Sequence, residues 1–351
     1  MGNCFRTDHH YQPIIAVCLE DFTIKYPIGR GGYGQVFKVQ HNETGQIFAM
    51  KEMRKNLIVA KKSVSTIMNE RHLLGFLNHP FIVNLHYAFQ TRQSLYLVVD
   101  LMSGGDLRHY FVINNRVRSE EALRFLAACI VVGLEYLHSN GIVHRDIKPE
   151  NLVFDCNGYL HITDFGIARN SNEDNSYISS GTPGYMAPEV LCSQNHGTVA
   201  DFFALGAILF ECITNFRPYI GKNRKEIRDA VLAKQARLDK EELSQWSPEC
   251  LDFINRLIMR KPENRLGING IEEVKGHCWF EDWDWMKFGC KAIESPFKPK
   301  KEDNFDLYQV SKKWEVSYER INNLNSQKLF AGYLFDVTLF RKDTSDTKLV
   351  E

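Results

Sequence analysis

The stretch Ile28–Val36, read as IGRGGYGQV, carries Gly29, Gly31 and Gly34 and runs straight on into YGQVFKVQ. Glycines at this spacing let a backbone close over a phosphate, and they also make tight hairpins. The residues after the loop limit the fold. A dinucleotide-binding glycine loop opens into a helix, whereas this one continues in β-branched and aromatic residues, which excludes a doubly wound sheet with its cofactor at a helix N-terminus. The loop is left as a turn between two strands, either a plain hairpin or a flap over a nucleotide.

The rest of the chain extends that start. From Phe22 to about Arg54 the sequence is β-like, with turn chemistry at NETGQ. A helix is predicted from Ser63 to Leu77, and FIVNLHYAF and SLYLVVDL read as two further strands. From Asp106 onward the pattern is mainly helical, with segments near 106–113, 119–139, 199–214, 224–234 and 248–259. The fold class is α+β: a small β-rich lobe with one key helix, followed by a larger helical lobe. Residues 1–21 and 281–351 read as extensions of a 22–280 domain.

Lysine plus arginine equals aspartate plus glutamate at 43 each, so no net field favours nucleic acid. Nine cysteines, an odd number without a C-x-x-C pair, suit a reducing, cytoplasmic setting. The apolar run FLAACIVVGLEYL from Phe125 is broken by Glu135 and reads as a buried helix rather than a membrane span.

Three groups of residues carry chemistry. In QIFAMKEM the two-residue period puts Ile47, Ala49 and Lys51 on one face, about 6.6 Å between alternate positions. In STIMNERHLLGFL, Glu70 falls on the apolar stripe with Ile67 and Leu74, where a carboxylate is costly unless paired. Lys51 is the candidate partner; a Glu70 at the stripe's edge that reaches water is the alternative. In IVHRDIKPENLVFDCNGYLHITDFG, Asn157-Gly158 signals a hairpin. A two-residue turn there sets Asn151 opposite Asp164 with side chains about 5 Å apart, an oxygen pair suited to Mg²⁺. Asp146, bracketed by His144, Arg145 and Lys148, falls beside that pair. Taken singly, each of these polar residues also fits a solvated loop.

In order, GRGGYGQV, FAMK, NERHLL, HRDIKPEN, DFG, APE, DFFALG and NRLG resemble the eukaryotic protein kinase family from about residue 22 to 280. The resemblance implies a bilobal fold, a protein substrate, and ATP with Mg²⁺. It implies that Gly29, Gly31 and Gly34 cover the phosphates, that Lys51, paired with Glu70, holds them, and that Asn151 and Asp164 hold Mg²⁺. Asp146 would orient the acceptor hydroxyl and take its proton, and Lys148 would neutralise the transferring phosphoryl. Ile28, Val36, Ala49, Val99, Met102 and Val153 match adenine-pocket positions, with hinge contacts from the backbone of Asp100 and Met102. Asp106 is counted with the nucleotide-binding residues. With Glu150 and Asp229 it also matches acids that hold basic residues preceding the acceptor; three ordinary surface acids are the alternative.

HRDIKPEN and GTPGYMAPE resemble serine/threonine kinases, and GTPGYMAPE gives no support to a small-molecule kinase. WFEDWDWMKF, PFKPKKEDNFD and FAGYLF are similar to the tail of the AGC group, with a further likeness to its YANK subfamily in VVDLMSGGDLRHY and HITDFGIA. In that tail Phe305 would lean toward the nucleotide, and Phe330, Tyr333 and Phe335 would dock beside the Glu70 helix.

The sequence also departs from the AGC pattern. Ile178 stands where a phosphorylated threonine is usual, although the clamp cations Arg145 and Arg169 remain. Ser179 or Ser176 could accept phosphate, or Tyr177 and Ile178 could hold the loop by packing. Leu334 removes the tail phosphosite, and Gly184 and Ser179 replace bulkier residues near the acceptor. The start, MGNCFRT, resembles a myristoylation signal at Gly2 with palmitoylation at Cys4, but Arg6 takes the usual Ser/Thr place; an unmodified terminus is the alternative. The chain is expected to be a monomeric serine/threonine kinase, cytoplasmic and weakly membrane-associated if acylated. A pseudokinase scaffold is the rival reading, against which Lys51, Asp146 and Asp164 are all present.

Overall fold

The computed structural model describes residues 17–114, 117, 119–171, 181–299 and 327–338. The first lobe is built from β1 (Phe22–Arg30), β2 (Gly34–His41), β3 (Ile47–Arg54), α1 (Lys55–Ala60), α2 (Val64–Phe76), β4 (Leu85–Gln90) and β5 (Ser94–Asp100). The second holds α3 (Leu107–Asn114), α4 (Glu120–Ser139), β6 (Ile142–Val143), β7 (Leu152–Phe154), β8 (Leu160–Ile162) and β9 (Arg169–Asn170). It continues through α5 (Pro188–Leu191), α6 (Val199–Thr214), α7 (Arg224–Ala233), α8 (Pro248–Leu257), α9 (Ile271–Lys275) and α10 (Trp285–Gly289), and β10 (Phe335–Asp336) returns to the first lobe. The two-lobed α+β arrangement expected from the sequence is the one observed.

The sheet runs β1-β2-β3-β5-β4-β10 with antiparallel neighbours. Strand alternation gives it two buried faces. Phe22, Val39, Phe48, Met50, Tyr87, Tyr96 and Val98 pack together on one side. On the other, Met53, Leu95 and Leu97 join Ile67 and Leu74 of α2. FIVNLHYAF forms a strand only from Leu85. The segment before it is diverted, because Val83 donates to the carbonyl of Ile162 (3.0 Å) and Ile162 donates to that of Phe81 (3.0 Å). Those bonds tie the lobes together.

In the larger lobe α4 is buried continuously from Phe125 to Leu134. Its length and composition alone would suit a membrane span, but its apolar surface is covered by the fold. Asp201, in the first turn of α6, is buried to 1% exposure. Its carboxylate accepts the backbone N–H groups of His144 (2.9 Å) and Arg145 (2.8 Å) and faces His138 Nε2 at 3.0 Å. Burial alone would raise its pKa, but these bonds and the His138 charge hold it below the usual carboxylate range. A carboxylate anchored in the core thereby fixes the backbone just before Asp146.

Candidate active site

The cleft between the lobes is walled above by the sheet. Across β2, β3 and β5 the register pairs Val36 with Lys51, Lys51 with Leu97, and Ala49 with Val99, so these side chains share the face toward the cleft. Ile28 is buried on β1. From below, Val153 of β7 bridges to Asp106. Met102 lies partly buried in the connection after β5. The Asp100 N–H goes to Asn84 O (3.1 Å), and its carboxylate takes Asn84 N (2.9 Å) and His86 Nε2 (2.7 Å). Asp106 Oδ1 accepts the His109 N–H at 2.7 Å, which caps α3.

Of the three loop glycines, Gly34 has a packing reason to be glycine. A Cβ there would lie 1.8 Å from the carbonyl oxygen of Glu52 on the neighbouring strand, whereas Gly29 and Gly31 meet nothing closer than 3.6 Å. The Gly31 N–H closes the turn onto Gly34 O at 2.9 Å. Because a backbone oxygen cannot move aside as a side chain can, Gly34→Ala is expected to cost about 1–3 kcal/mol or more of stability. Urea unfolding would check this against Gly31→Ala, for which no loss is expected.

Lys51 Nζ lies 2.8 Å from Glu70 Oε1. Burial opposes charge on Lys51, but Glu70 and Asp164 together hold its pKa above the ordinary lysine value. Asp164 is the counterpart. Burial would raise its pKa, yet the charges of Lys51 and His144 and the Gly166 N–H keep it below the usual range. Its φ of +66° is one that non-glycine residues seldom adopt, as is the +69° of Arg145. Both strained residues flank the cleft, where strain is commonly held in place by surrounding structure.

Asp146 is gripped by four donor groups. Thr182 N and Oγ1 each lie 3.0 Å from Oδ1, while Lys148 Nζ (2.5 Å) and Asn151 Nδ2 (3.2 Å) lie against Oδ2. Lys148 Nζ also reaches Thr182 Oγ1 at 3.1 Å, and Asn151 Nδ2 reaches the Asp146 carbonyl at 2.9 Å. The segment carrying Thr182 is thus fastened to the loop carrying Asp146.

The hairpin register differs from the expected one. β7 and β8 pair Leu152 with Ile162, Val153 with His161 and Phe154 with Leu160. Three residues rather than two form the turn, because Asp155 Oδ1 accepts the N–H groups of both Asn157 and Tyr159 at 2.9 Å and Gly158 takes φ +84°. Asn151 therefore stands opposite Thr163, whose N–H donates to its carbonyl at 3.0 Å, and Asp164 lies one residue further on. The direct Asn151–Asp164 pairing is overturned; the left-handed φ of Asp164 redirects the chain at the same end of the hairpin. The donor set still fits Mg²⁺. Asn151 commits its amide nitrogen to Asp146, which turns its side-chain oxygen away, and Asp164 is held anionic. Among the described residues no group of three or more His, Cys, Asp or Glu is gathered for a metal. Two protein oxygens completed by phosphate and water suit Mg²⁺ better than a protein cage would.

Thr182 and Asp201 fall in the motifs GTPGYMAPE and DFFALG, but their bonds to the Asp146 loop, and the role of Arg108, were not announced by the sequence. Asp201 had a signal: it is a lone acid inside the apolar run ADFFALGAILF. Phe330, Tyr333 and Phe335 are buried beside α2, where Arg71 Nε donates to Tyr333 O at 3.0 Å and Arg71 Nη2 to Leu334 O. Gly2, Cys4, Ser176, Tyr177, Ile178, Ser179 and Phe305 lie outside the described residues.

The protein kinase domain matches residues 22–280. The chain is 39% identical over 292 residues to protein kinase 2 of Dictyostelium discoideum, covering 83% of this chain and 60% of that one. It is 37% identical over 329 residues to a probable serine/threonine-protein kinase of the same organism, covering 91% and 71%. Against human ribosomal protein S6 kinase alpha-3 it is 38% identical over 327 residues, covering 90% of this chain and 43% of that one. The chain thus spans well under the full length of these relatives.

Proposed function

We propose that this chain, which belongs to the protein kinase domain family and its AGC group, transfers the γ-phosphoryl of ATP to serine or threonine hydroxyls of protein substrates. The observation that carries the reading is the Asp146 carboxylate, held by Lys148, Asn151 and Thr182, in one cleft with the Lys51–Glu70 pair and anionic Asp164.

Phosphoryl transfer asks the protein for position and charge rather than covalent help. Lys51, fixed by Glu70, presents an ammonium to the nucleotide's α- and β-phosphates beneath the loop of Gly29, Gly31 and Gly34. The apolar surface of Ile28, Val36, Ala49, Val99, Met102 and Val153 receives the adenine. Mg²⁺, when bound by Asp164 and Asn151, supplies charge neutralisation on the phosphate oxygens. Asp146 orients the acceptor hydroxyl and takes its proton, and Lys148 meets charge developing on the transferring group. A scaffold without turnover has no observation in its favour, because none of these groups is missing.

Residues 22–280 act as the catalytic unit, with 1–21 as an extension and 281–351 as a tail, of which Phe330, Tyr333 and Phe335 pack beside α2 of the small lobe. The setting is cytoplasmic, supported by the cysteine pattern, with acylation at Gly2 and Cys4 as a weak anchor. The upstream-basic preference is narrowed: Asp106 caps α3, Glu150 is paired with Arg108 (3.0 Å) and Asp229 lies 3.7 Å from Arg228.

The test uses purified protein, γ-labelled ATP and a mixed Ser/Thr peptide set with Mg²⁺ or a chelator. Label should transfer only with Mg²⁺, and Asp164→Asn should lose both transfer and the Mg²⁺-dependent part of nucleotide affinity. Transfer that persists in chelator would contradict the assignment.

A further inference from the structure

Arg108, the second residue of α3, divides its guanidinium among three partners. Nε lies 3.0 Å from Glu150 Oε1, Nη1 lies 2.9 Å from Glu211 Oε1, and Nη2 bonds the Tyr185 hydroxyl. Tyr185 in turn donates to Glu211 Oε2 at 2.5 Å. This cluster stands on the acceptor side of the cleft. Glu150 adjoins Asn151, and Tyr185 comes shortly after Thr182, which bonds Asp146.

Two carboxylates converging beside the acceptor form a receptor for a guanidinium, through charge-assisted and partly bidentate bonds. Here the guanidinium comes from the chain itself. A tethered group competes at an effective concentration of about millimolar or more, far above an ordinary peptide substrate. The same wall carries a second cation. Arg217 stacks on Tyr185 with 5.7 Å from its guanidinium carbon to the ring centroid. It lies where a Cβ on Gly184 would be 2.2 Å from its Nη1, so the missing side chain at Gly184 makes room for it. Arg108 and Arg217 offset the charges of Glu150 and Glu211.

We propose that Arg108 is a specificity-determining residue: it fills from within the Glu150–Glu211 carboxylate pair that would otherwise take a substrate arginine, so Ser/Thr substrates are accepted without an upstream arginine. This rests on the kinase reading and predicts a gain of preference rather than a loss when Arg108 is removed.

The test compares two peptide series, with arginines or alanines before the acceptor, on full-length wild type and Arg108→Ala. Both kcat/KM and the Kd of versions with alanine at the acceptor are measured. The Kd ratio reads the subsite even if no phosphate is transferred, which separates failure here from failure of the kinase reading. Wild type should treat the two series within about 3-fold, and Arg108→Ala should favour the arginine series by about 10-fold or more, the worth of one charge-assisted bond. Adding Glu150→Gln to Arg108→Ala should reverse most of that gain. Arg108→Gln keeps a donor for Glu211, so the comparison stands on it if the alanine variant does not fold. A wild type that already prefers arginine, or an unchanged ratio in the folded variant, would overturn the proposal.

Discussion

Replacing Asp146 by asparagine is expected to lower the rate of phosphoryl transfer by about 10²–10⁴, the usual worth of a positioned acid–base group. Nucleotide affinity should be unchanged, because Asp146 touches neither the Lys51–Glu70 pair nor the apolar residues assigned to the adenine. The loss has two sources. An amide cannot accept the acceptor's proton, and it cannot satisfy the donors that now converge on the carboxylate. Thr182 N and Oγ1 approach one oxygen at 3.0 Å, while Lys148 and Asn151 approach the other at 2.5 and 3.2 Å. Asparagine turns one of these faces into a donor-to-donor clash, so the Thr182 segment should loosen as well. Single-turnover transfer measured beside equilibrium nucleotide binding would separate chemistry from affinity. A variant retaining wild-type single-turnover rates would remove Asp146 from its assigned role.

The largest effect on stability is expected at Arg265, which is buried to 0% exposure. Its guanidinium forms a fork on Glu189, Nη1 to Oε1 at 2.7 Å and Nη2 to Oε2 at 2.9 Å, and Nε and Nη1 also reach the carbonyls of Met259 (2.9 Å) and Val199 (3.1 Å). Arg265→Ala strands a buried carboxylate and should cost about 3–5 kcal/mol. For a domain of this size that is a fall in Tm on the order of 10 °C. The double variant Arg265→Met, Glu189→Gln should recover much of the loss, because the penalty belongs to the unpaired charge rather than to the absent pair. In contrast, separating the exposed pair Lys298–Glu294 should leave Tm unchanged, since solvent screens it. Calorimetry on the four proteins would check the order; a double variant no more stable than Arg265→Ala would contradict this account of the pair.

Much of this was legible from residues whose surroundings are local or periodic. Lys51 and Glu70 could be matched because a two-residue and a 3.6-residue period each put one charge on a face bound for the interior. Helices α3, α4, α6, α7 and α8 were visible for the same reason, whereas the one-turn α5 was not. The hairpin register was not, because it turned on one hydrogen-bonding choice: Asp155 caps a three-residue turn where Asn157-Gly158 alone suggested two. A shift of one residue was enough to move Asn151 from Asp164 to Thr163. The strand start at Leu85 was hidden because Phe81 and Val83 spend their backbone groups on β8, a long-range contact with no local signature. Arg108 was missed for a related reason. Glu150, Tyr185 and Glu211 come from three distant parts of the chain, and no spacing reports that their side chains meet.

The most direct test of phosphoryl transfer to protein hydroxyls is the identity of the product. Wild-type protein and Asp146→Asn would each be incubated with Mg²⁺, ATP and a protein substrate mixture, and the modified residues identified by mass spectrometry after hydrolysis of any ATP left. Phosphoserine and phosphothreonine are expected from wild type, absent or reduced by orders of magnitude with the variant. Nucleotide bound by both proteins without phosphorylated serine or threonine from either, or phosphate found on tyrosine alone, would contradict it.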